Sequence, residues 1–220
     1  MTNKKRHSHK RNETKLCNKT VIKKLEEYLE TIRPQIKQST YGVYRRYIEN
    51  HIANYFGNMK CNQLNLETMQ GFINKHIDNG LSAVTIQPIF LFIKKGLEGS
   101  LPSDIFDVKL PKRLTSEVDV FSFGEQKCLE IAAGDSDEIN RMGIILCLYT
   151  GIRIGELCGL MWNDIDFGRK LLYVNRTIQR VKSFNGGNKT QITFQTPKSN
   201  SSKRKIPLPQ FLGQMFLTAQ

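Results

Sequence analysis

Four stretches between residues 18 and 99 carry apolar residues at every third or fourth position. This spacing gathers the apolar side chains on one face of a helix, so each stretch predicts an amphipathic helix. Pro34 marks the end of the first stretch, and Asp78-Asn79-Gly80 is a typical helix stop after the third. Because such helices bury their apolar faces against one another, residues 18–99 are predicted to form a four-helix bundle.

The C-terminal half of the chain has a mixed pattern. Residues 100–118 contain Pro102 and Pro111 without an apolar period, which predicts a linker. Residues 119–220 combine apolar helical stretches, the first opened by a Ser-x-x-Glu cap at Ser122, with short alternating segments. The predicted strands are residues 171–182, 191–196 and 206–208. The chain is therefore predicted to be mainly α-helical with a small antiparallel β-sheet, its second domain being α+β.

The strongest bulk property of the chain is its positive charge. Lysine and arginine give a formal net charge of +13 in 220 residues, with a pI near 9.6. An excess of this size predicts a polyanionic partner, most often nucleic acid. Residues 1–17 are basic and lack an apolar period. They are predicted to be a disordered arm that contacts DNA weakly or is simply solvated.

The second helical stretch is a candidate DNA-binding surface. Arg45 and Arg46 lie among Tyr41, Tyr44 and Tyr47. Arginines interleaved with aromatic residues suit contacts with phosphate and sugar, which makes Arg45 and Arg46 candidate DNA-binding residues. The tyrosines are equally compatible with packing in the core of the bundle.

The cysteine pattern argues against a metal site, and the hydropathy argues against a membrane span. Five cysteines are widely spaced, and no Cys-x-x-Cys pair is present. This pattern argues against a zinc module, so no metal site is predicted. No apolar run approaches the roughly 20 residues that span a bilayer, and no secretory signal opens the chain. We therefore expect a cytoplasmic protein without membrane contact.

Residues 150–166, TGIRIGELCGLMWNDID, form the most distinctive motif. A break at Gly151 is predicted to be followed by a helix that has Arg153 in its first turn. The predicted core-facing positions of this helix are Ile154, Leu157 and Leu160. The helix dipole disfavours a cation in the first turn. Arg153 therefore either pairs with Glu156 one turn later or awaits an anion.

A second group of cations occupies residues 198–205, which are predicted to be a hairpin turn. An arginine offers a planar fork to two phosphate oxygens, and a lysine on a turn reaches a single oxygen. Arg153 and Lys198 together suit a reaction at a phosphodiester, in which arginine stabilises charge on phosphorus and lysine protonates the departing oxygen. The alternative is an exposed turn that aids solubility. Both interpretations also apply to three neighbouring candidates for DNA contact, Lys203, Arg204 and Lys205.

These motifs resemble those of the tyrosine recombinases, the phage and transposon integrases. Residues 150–166 are similar to the first catalytic box of that family. Residues 196–208, TPKSNSSKRKIPL, are similar to its catalytic-lysine hairpin. The predicted bundle at residues 18–99 resembles the core DNA-binding domain of the family, and the resemblance covers roughly residues 20–220.

The resemblance implies site-specific DNA recombination for a mobile genetic element. In this chemistry a tyrosine attacks DNA, which gives a 3′-phosphotyrosine and a free 5′-hydroxyl. The resemblance implies that Arg153 is the first catalytic arginine, that Lys198 is the catalytic lysine and that Glu156 orients the site. It implies no metal or nucleotide cofactor, because the phosphotyrosine keeps the bond energy. The implied partner is double-stranded DNA with inverted-repeat core sites, bound by a homotetramer.

The later motifs of the family do not occur in this sequence. In the family, a His/Lys-x-x-Arg box, a His or Trp and the nucleophilic tyrosine follow the lysine hairpin. Here all four histidines precede Arg153, and the last tyrosine is Tyr173, which lies before the hairpin. Residues 119–220 are therefore predicted to be the N-terminal part of a catalytic domain. The chain is expected to be truncated, and to bind DNA without cleaving it.

Two other functions are compatible with the sequence. A non-catalytic DNA-binding protein would occupy core recombination sites and interfere with a full-length partner. A general basic nucleic-acid binder would show no preference for inverted-repeat sites. The coding sequence beyond Gln220 distinguishes a recombinase from the first alternative, because a recombinase requires a downstream tyrosine.

Overall fold

The computed structural model describes residues 18–114, 117–135, 138–183, 189–195 and 203–218. The chain divides into two compact units, a first unit of Met1–Ser116 and a second unit of Glu117–Gln220. The described residues are mostly helical, and their short antiparallel strands lie in the second unit, which confirms the predicted fold class. The predicted basic arm, residues 1–17, lies outside the described residues.

The described residues of the first unit form four helical rods, as the apolar spacing predicts. A π-helical turn joins the second and third helices into one rod, so five helical segments form four rods. The segments are α1 (Val21–Ile32), α2 (Gln38–Tyr47), α3 (Ala53–Phe56), α4 (Leu66–Asp78) and α5 (Ala83–Leu97).

Side-chain caps mark the start of two of the rods, α1 and α4. The Thr20 hydroxyl accepts a hydrogen bond from the Lys23 N–H at 3.3 Å and caps α1. The Asn65 side chain accepts the Thr68 N–H at 2.8 Å and caps α4. Both caps satisfy backbone donors that have no partner within the helix. The buried faces of the rods then form the core, which includes Val21, Leu25, Leu29, Ile52, Phe72, Ile73, Ile89 and Ile93.

The tyrosines of α2 pack within the first unit. Tyr41 is buried, and its hydroxyl donates a hydrogen bond to Glu30 Oε1 at 2.6 Å. Tyr44 stacks on Phe92 with ring centroids 4.6 Å apart, and Tyr47 lies edge-on to the same ring. The sequence leaves open contacts with DNA or packing in the core for these tyrosines. The structure shows packing, with Tyr41 buried and with Tyr44 and Tyr47 partly buried.

Much of the predicted linker at residues 100–118 packs against the first unit. The Gln70 side chain accepts a hydrogen bond from the Lys109 N–H at 2.7 Å. The Gln87 side chain donates to the Pro111 carbonyl at 2.8 Å. The boundary between the two units, after residue 116, falls within the predicted range.

In the part of the second unit that the structure describes, four α-helices combine with five short strands. The capping box predicted at Ser122 is present, because the Ser122 N–H donates to Glu125 Oε2 at 2.8 Å while the Ser122 hydroxyl accepts the Glu125 N–H. The helices are α6 (Phe123–Gly134), α7 (Glu138–Thr150), α8 (Ile154–Leu157) and α9 (Gln210–Thr218). The strands are β1 (Ile165–Asp166), β2 (Leu171–Val174), β3 (Thr177–Lys182), β4 (Thr190–Gln195) and β5 (Arg204–Pro207).

The strands form two separate antiparallel sheets. One has the order β1-β2-β5, and the other pairs β3 with β4. The prediction of one strand over residues 171–182 is wrong, because Asn175 and Arg176 interrupt it and direct their side chains to Asp164. The predicted hairpin between the last two strands is also wrong, since β4 and β5 pair with different partners.

An apolar cluster holds the β1-β2-β5 sheet against helices of the second unit. Leu146 of α7, Leu172 of β2 and Leu212 of α9 are almost fully buried within it. This packing anchors β5 beside the end of α7, and the distinctive motif begins at that end. Among the helices of the described ranges, none is both long and apolar enough to cross a bilayer.

A matched pair of leucines tests the packing of the first unit. Leu29 of α1 is buried, whereas Leu91 of α5 is exposed. We expect Leu29→Ala to lower the free energy of unfolding by about 2–5 kcal/mol, because it leaves a cavity. The same change at Leu91 is expected to have an effect within about 0.5 kcal/mol. Urea unfolding followed by far-ultraviolet circular dichroism measures both, and equal effects would contradict the described core.

Candidate functional site around Arg153 and Glu156

The distinctive motif begins with a sharp change of direction after α7. Gly151 has φ +63°, a conformation that glycine adopts without strain. Ile152 is then buried, and Arg153 is extended with φ −75° and ψ 148° at the N-cap position of α8. The prediction that Arg153 lies in the first turn of a helix is therefore wrong by one position.

Helix α8 is shorter than the apolar spacing predicts. It is a single turn of four residues, and Ile154 is exposed instead of facing the core. Close backbone packing holds the turn in place. A Cβ atom at Gly155 would lie 2.6 Å from Thr177 Oγ1 and 3.0 Å from the Ile178 carbonyl oxygen. Glycine therefore allows α8 to contact β3 directly.

Glu156 is the centre of the site. Its side chain is only 6% exposed, and each carboxylate oxygen accepts two hydrogen bonds. Oε1 accepts from Nη1 of Arg153 at 3.1 Å and from Nη1 of Arg204 at 3.1 Å. Oε2 accepts from the Arg153 backbone N–H at 3.1 Å and from Nη2 of Arg204 at 2.8 Å. A buried carboxylate is thus fully satisfied by one neighbour three positions away, Arg153, and one distant residue, Arg204.

These contacts keep Glu156 ionised. The hydrogen bonds from Arg204 are the largest cause that lowers the pKa of Glu156 to about 2, against the opposing effect of burial. The same contact with Glu156 raises the pKa of Arg204. A carboxylate with so low a pKa is a poor proton carrier near neutral pH. Glu156 is therefore suited to holding cations in place.

The two arginines on Glu156 differ in exposure. The Arg153 side chain is 73% exposed, whereas that of Arg204 is 28% exposed. Arg204 lies on β5 opposite Val174 of β2, and both of its terminal nitrogens bind Glu156. Within the described residues, the Arg153 guanidinium makes one hydrogen bond, through Nη1. Much of its planar fork therefore faces solvent, where an anion can reach it.

A second buried carboxylate, which the sequence analysis missed, is built in the same way. Asp164 accepts hydrogen bonds from the Met161 N–H at 2.9 Å and from the Asn175 side chain at 3.0 Å. Arg176 adds a bidentate pair at 2.6 Å and 3.2 Å. No local sequence signal marks Arg176 as the partner, because the pairing depends on how β2 packs beside the turn. Asp164 thus fixes the end of the motif, as Glu156 fixes its start.

The other predicted site residues of the second unit lie on or near β5. Lys198 lies outside the described residues, so its distance from Arg153 remains a prediction. Lys203 is exposed just before β5. Lys205 is exposed on β5, with Nζ 5.4 Å from the centroid of the Tyr173 ring. The structure therefore brings Arg204, but neither Lys203 nor Lys205, into contact with Glu156.

The predicted DNA-binding residues of the first unit lie near the end of α2. Arg45 is partly buried between two acids, 3.7 Å from Glu26 and 3.3 Å from Glu49. Arg46 is exposed. Arg45 therefore has a partner within the protein, whereas Arg46 presents its charge to solvent. Across the described ranges, no group of three His, Cys, Asp or Glu residues is placed to hold a metal ion.

Two family models match this chain. The phage integrase N-terminal SAM-like domain matches residues 20–77, and the phage integrase family matches residues 125–213. The chain belongs to the phage integrase family of tyrosine recombinases. The second match includes the whole site around Glu156.

Similar proteins come from bacteria and mobile elements. A tyrosine recombinase XerC-like protein of Caldanaerobacter subterraneus subsp. tengcongensis is 30% identical over 204 residues, which cover 84% of this chain and 51% of that protein. The integrase of Staphylococcus phage L54a is 27% identical over 214 residues, which cover 84% of this chain and 58% of that integrase. The chain thus spans somewhat more than half the length of these curated relatives.

Solved structures share the fold. The Tn1549 transposon integrase, determined in complex with a circular intermediate DNA, superposes with a TM-score of 0.75 at 20% sequence identity. The superposition covers 91% of this chain and 64% of the integrase chain. At this identity the similarity establishes the fold.

The acid stability of the second unit tests the ionisation of Glu156. Its pKa is lowered from 4.5 to about 2, so its contribution to stability is complete above pH 4.5 and is lost as the pH falls towards 2. Above pH 4.5 we expect Glu156→Gln to lower the free energy of unfolding by about 3 kcal/mol. Near pH 2 the difference from the unchanged chain should vanish.

The only tryptophan, Trp162, reports the unfolding of the second unit by fluorescence. Glu130 also has a pKa lowered to about 2, through hydrogen bonds with Lys127, Tyr149 and Gln126. Glu130→Gln is therefore the matched control, because it removes a different carboxylate that titrates in the same pH range. A difference between Glu156→Gln and the unchanged chain that does not vary with pH would contradict the assignment.

Proposed function

We propose that this chain binds double-stranded DNA as part of a site-specific recombinase and presents Arg153 to a backbone phosphate. The observation that carries the proposal is the exposed guanidinium of Arg153 beside the buried and ionised Glu156. A guanidinium that a carboxylate holds through Nη1, and that is otherwise largely in solvent, suits the recognition of two phosphate oxygens. Membership of the phage integrase family supports the same function.

In the proposed chemistry, Arg153 stabilises negative charge that develops on the phosphoryl oxygens during strand cleavage. Lys198 donates a proton to the departing oxygen, a role that rests on the sequence resemblance. Glu156 orients Arg153 and transfers no proton. No metal or nucleotide is assigned a role, because the family chemistry conserves the bond energy in a phosphotyrosine.

The proposed partner is double-stranded DNA with inverted-repeat core sites, bound by a homotetramer of the complete protein. The net charge of +13 supports a DNA partner. The Tn1549 integrase, which shares the fold, is described in complex with DNA. Of the predicted DNA contacts, Arg46, Lys203 and Lys205 are exposed and remain candidates, whereas Arg45 and Arg204 are paired with acids within the protein. The cytoplasmic location expected from the sequence fits this substrate.

We propose further that these 220 residues bind DNA without cleaving it. The sequence has no tyrosine after Tyr173 and no histidine after Arg153. Tyr173 lies on β2, paired with Lys205, whose ammonium lies over its ring. Because side chains alternate along a strand, Tyr173 is on the opposite face of the sheet from Arg204, the partner of Glu156. A chain of this kind can occupy core sites without acting on them, which is the alternative function.

Replacement of Arg153 tests the phosphate contact. We expect Arg153→Ala to weaken binding to double-stranded DNA about five- to tenfold, because a charge-assisted contact of about 1 kcal/mol is lost. Arg169→Ala is a matched control, since Arg169 is 76% exposed and also lies in the second unit. It removes the same charge and should change the affinity about twofold. Fluorescence anisotropy with labelled DNA measures both, and equal effects would point to a general basic binder.

Covalent trapping tests the absence of cleavage. A nicked duplex that traps phosphotyrosine intermediates should form no adduct with this chain, because the sequence supplies no tyrosine in the family's position. A complete integrase with its own nicked site is the positive control. Denaturing electrophoresis detects the adduct, and a shifted band with this chain would disprove the proposal.

A further inference from the structure

We infer that Arg204 is a positioning residue that keeps Arg153 available for phosphate. This inference rests on the proposed function, since it concerns how the phosphate-binding arginine is held. It assigns Arg204 a role through Glu156 instead of a direct contact with DNA. This role follows from how the charge of Glu156 is compensated.

Arg204 supplies most of the compensation for the buried carboxylate. Its two terminal nitrogens bind both oxygens of Glu156, at 3.1 Å and 2.8 Å. A bidentate pair of this kind is the strongest contact that an arginine makes with a carboxylate. Strand pairing of β5 with β2 holds the Arg204 backbone, so the fork approaches Glu156 from a fixed position.

The charge balance of the three residues explains why a second arginine is needed. Glu156 and Arg204 together are neutral, so the positive charge of Arg153 is left for an external anion. The exposures agree with this division, because Arg204 is 28% exposed and Arg153 is 73% exposed. Arg204 faces the protein, and Arg153 faces solvent.

Loss of Arg204 should change which group the Arg153 guanidinium binds. A buried carboxylate without a compensating cation is strongly unfavourable, and Arg153 is already within 3.1 Å of it. We expect Arg153 to turn its fork onto Glu156 and to form a neutral pair. The site then has no net positive charge and no free fork, although Arg153 itself is unchanged.

The experiment measures how much Arg153 contributes to DNA affinity in different backgrounds. The 220-residue chain is titrated into a labelled duplex of mixed sequence, with and without Arg153→Ala. In the unchanged background we expect Arg153→Ala to weaken binding about five- to tenfold. In the Arg204→Met background we expect the same replacement to have an effect below about twofold, because Arg153 is already captured.

A rescue separates positioning from a purely structural role. Glu156→Gln combined with Arg204→Met removes the charge that captures Arg153, so the effect of Arg153→Ala should return to at least about fivefold. A role limited to folding, or a direct contact of Arg204 with DNA, predicts no such return. Trp162 fluorescence confirms that each variant is folded.

If Arg204→Met does not fold, Arg204→Gln replaces it, since glutamine removes the charge but keeps a donor for Glu156. An undiminished effect of Arg153→Ala in the Arg204→Met or Arg204→Gln background overturns the inference and leaves the proposed function intact. Failure of the rescue also overturns the inference alone. If Arg153→Ala has no effect in the unchanged chain, the proposed phosphate contact fails as well.

Discussion

The second unit depends on the burial of one carboxylate together with its cations. Glu156 caps the single turn of α8 through the Arg153 N–H, and it binds Arg204 of β5 with both oxygens. One side chain thereby joins the start of α8 to the edge strand of a sheet. A buried charge is tolerated only when its compensation is complete, so the same contacts that stabilise the fold also determine where Arg153 is held.

The two units use basic residues in different ways. In the second unit, Arg204 and Arg176 bind buried acids, and their charges are largely neutralised within the protein. In the first unit, Arg45 is held between two acids, while Arg46 beside it is exposed. The net charge of the chain thus overstates the number of cations that can meet a polyanion. The cations that can bind a polyanion are those that are exposed and are not paired with an acid of the protein.

The sequence predicts well the features that depend on nearby residues. The rods of the first unit follow from apolar spacing, and the Ser122 cap follows from a four-residue pattern. The strand break at Asn175-Arg176 was not predictable, because it depends on hydrogen bonds from both side chains to Asp164, which directly precedes β1. Arg204 resembles a solvated turn residue in sequence, since its partner Glu156 is 48 positions away. The sequence therefore offered Glu156 as one of two possible partners for Arg153 and predicted Arg204 to contact DNA, and it missed the contact between Arg204 and Glu156.

Gly155 has a mechanical consequence for the arginine that precedes it. Because Gly155 has no side chain, α8 packs directly against the Thr177 side chain and the Ile178 carbonyl of β3, and this close packing restricts the backbone beside Arg153. Nη1 of the guanidinium is held by Glu156, while most of the Arg153 side chain is in solvent. A guanidinium that is held at one nitrogen and open at the others can contact an anion without any movement of the backbone that carries it.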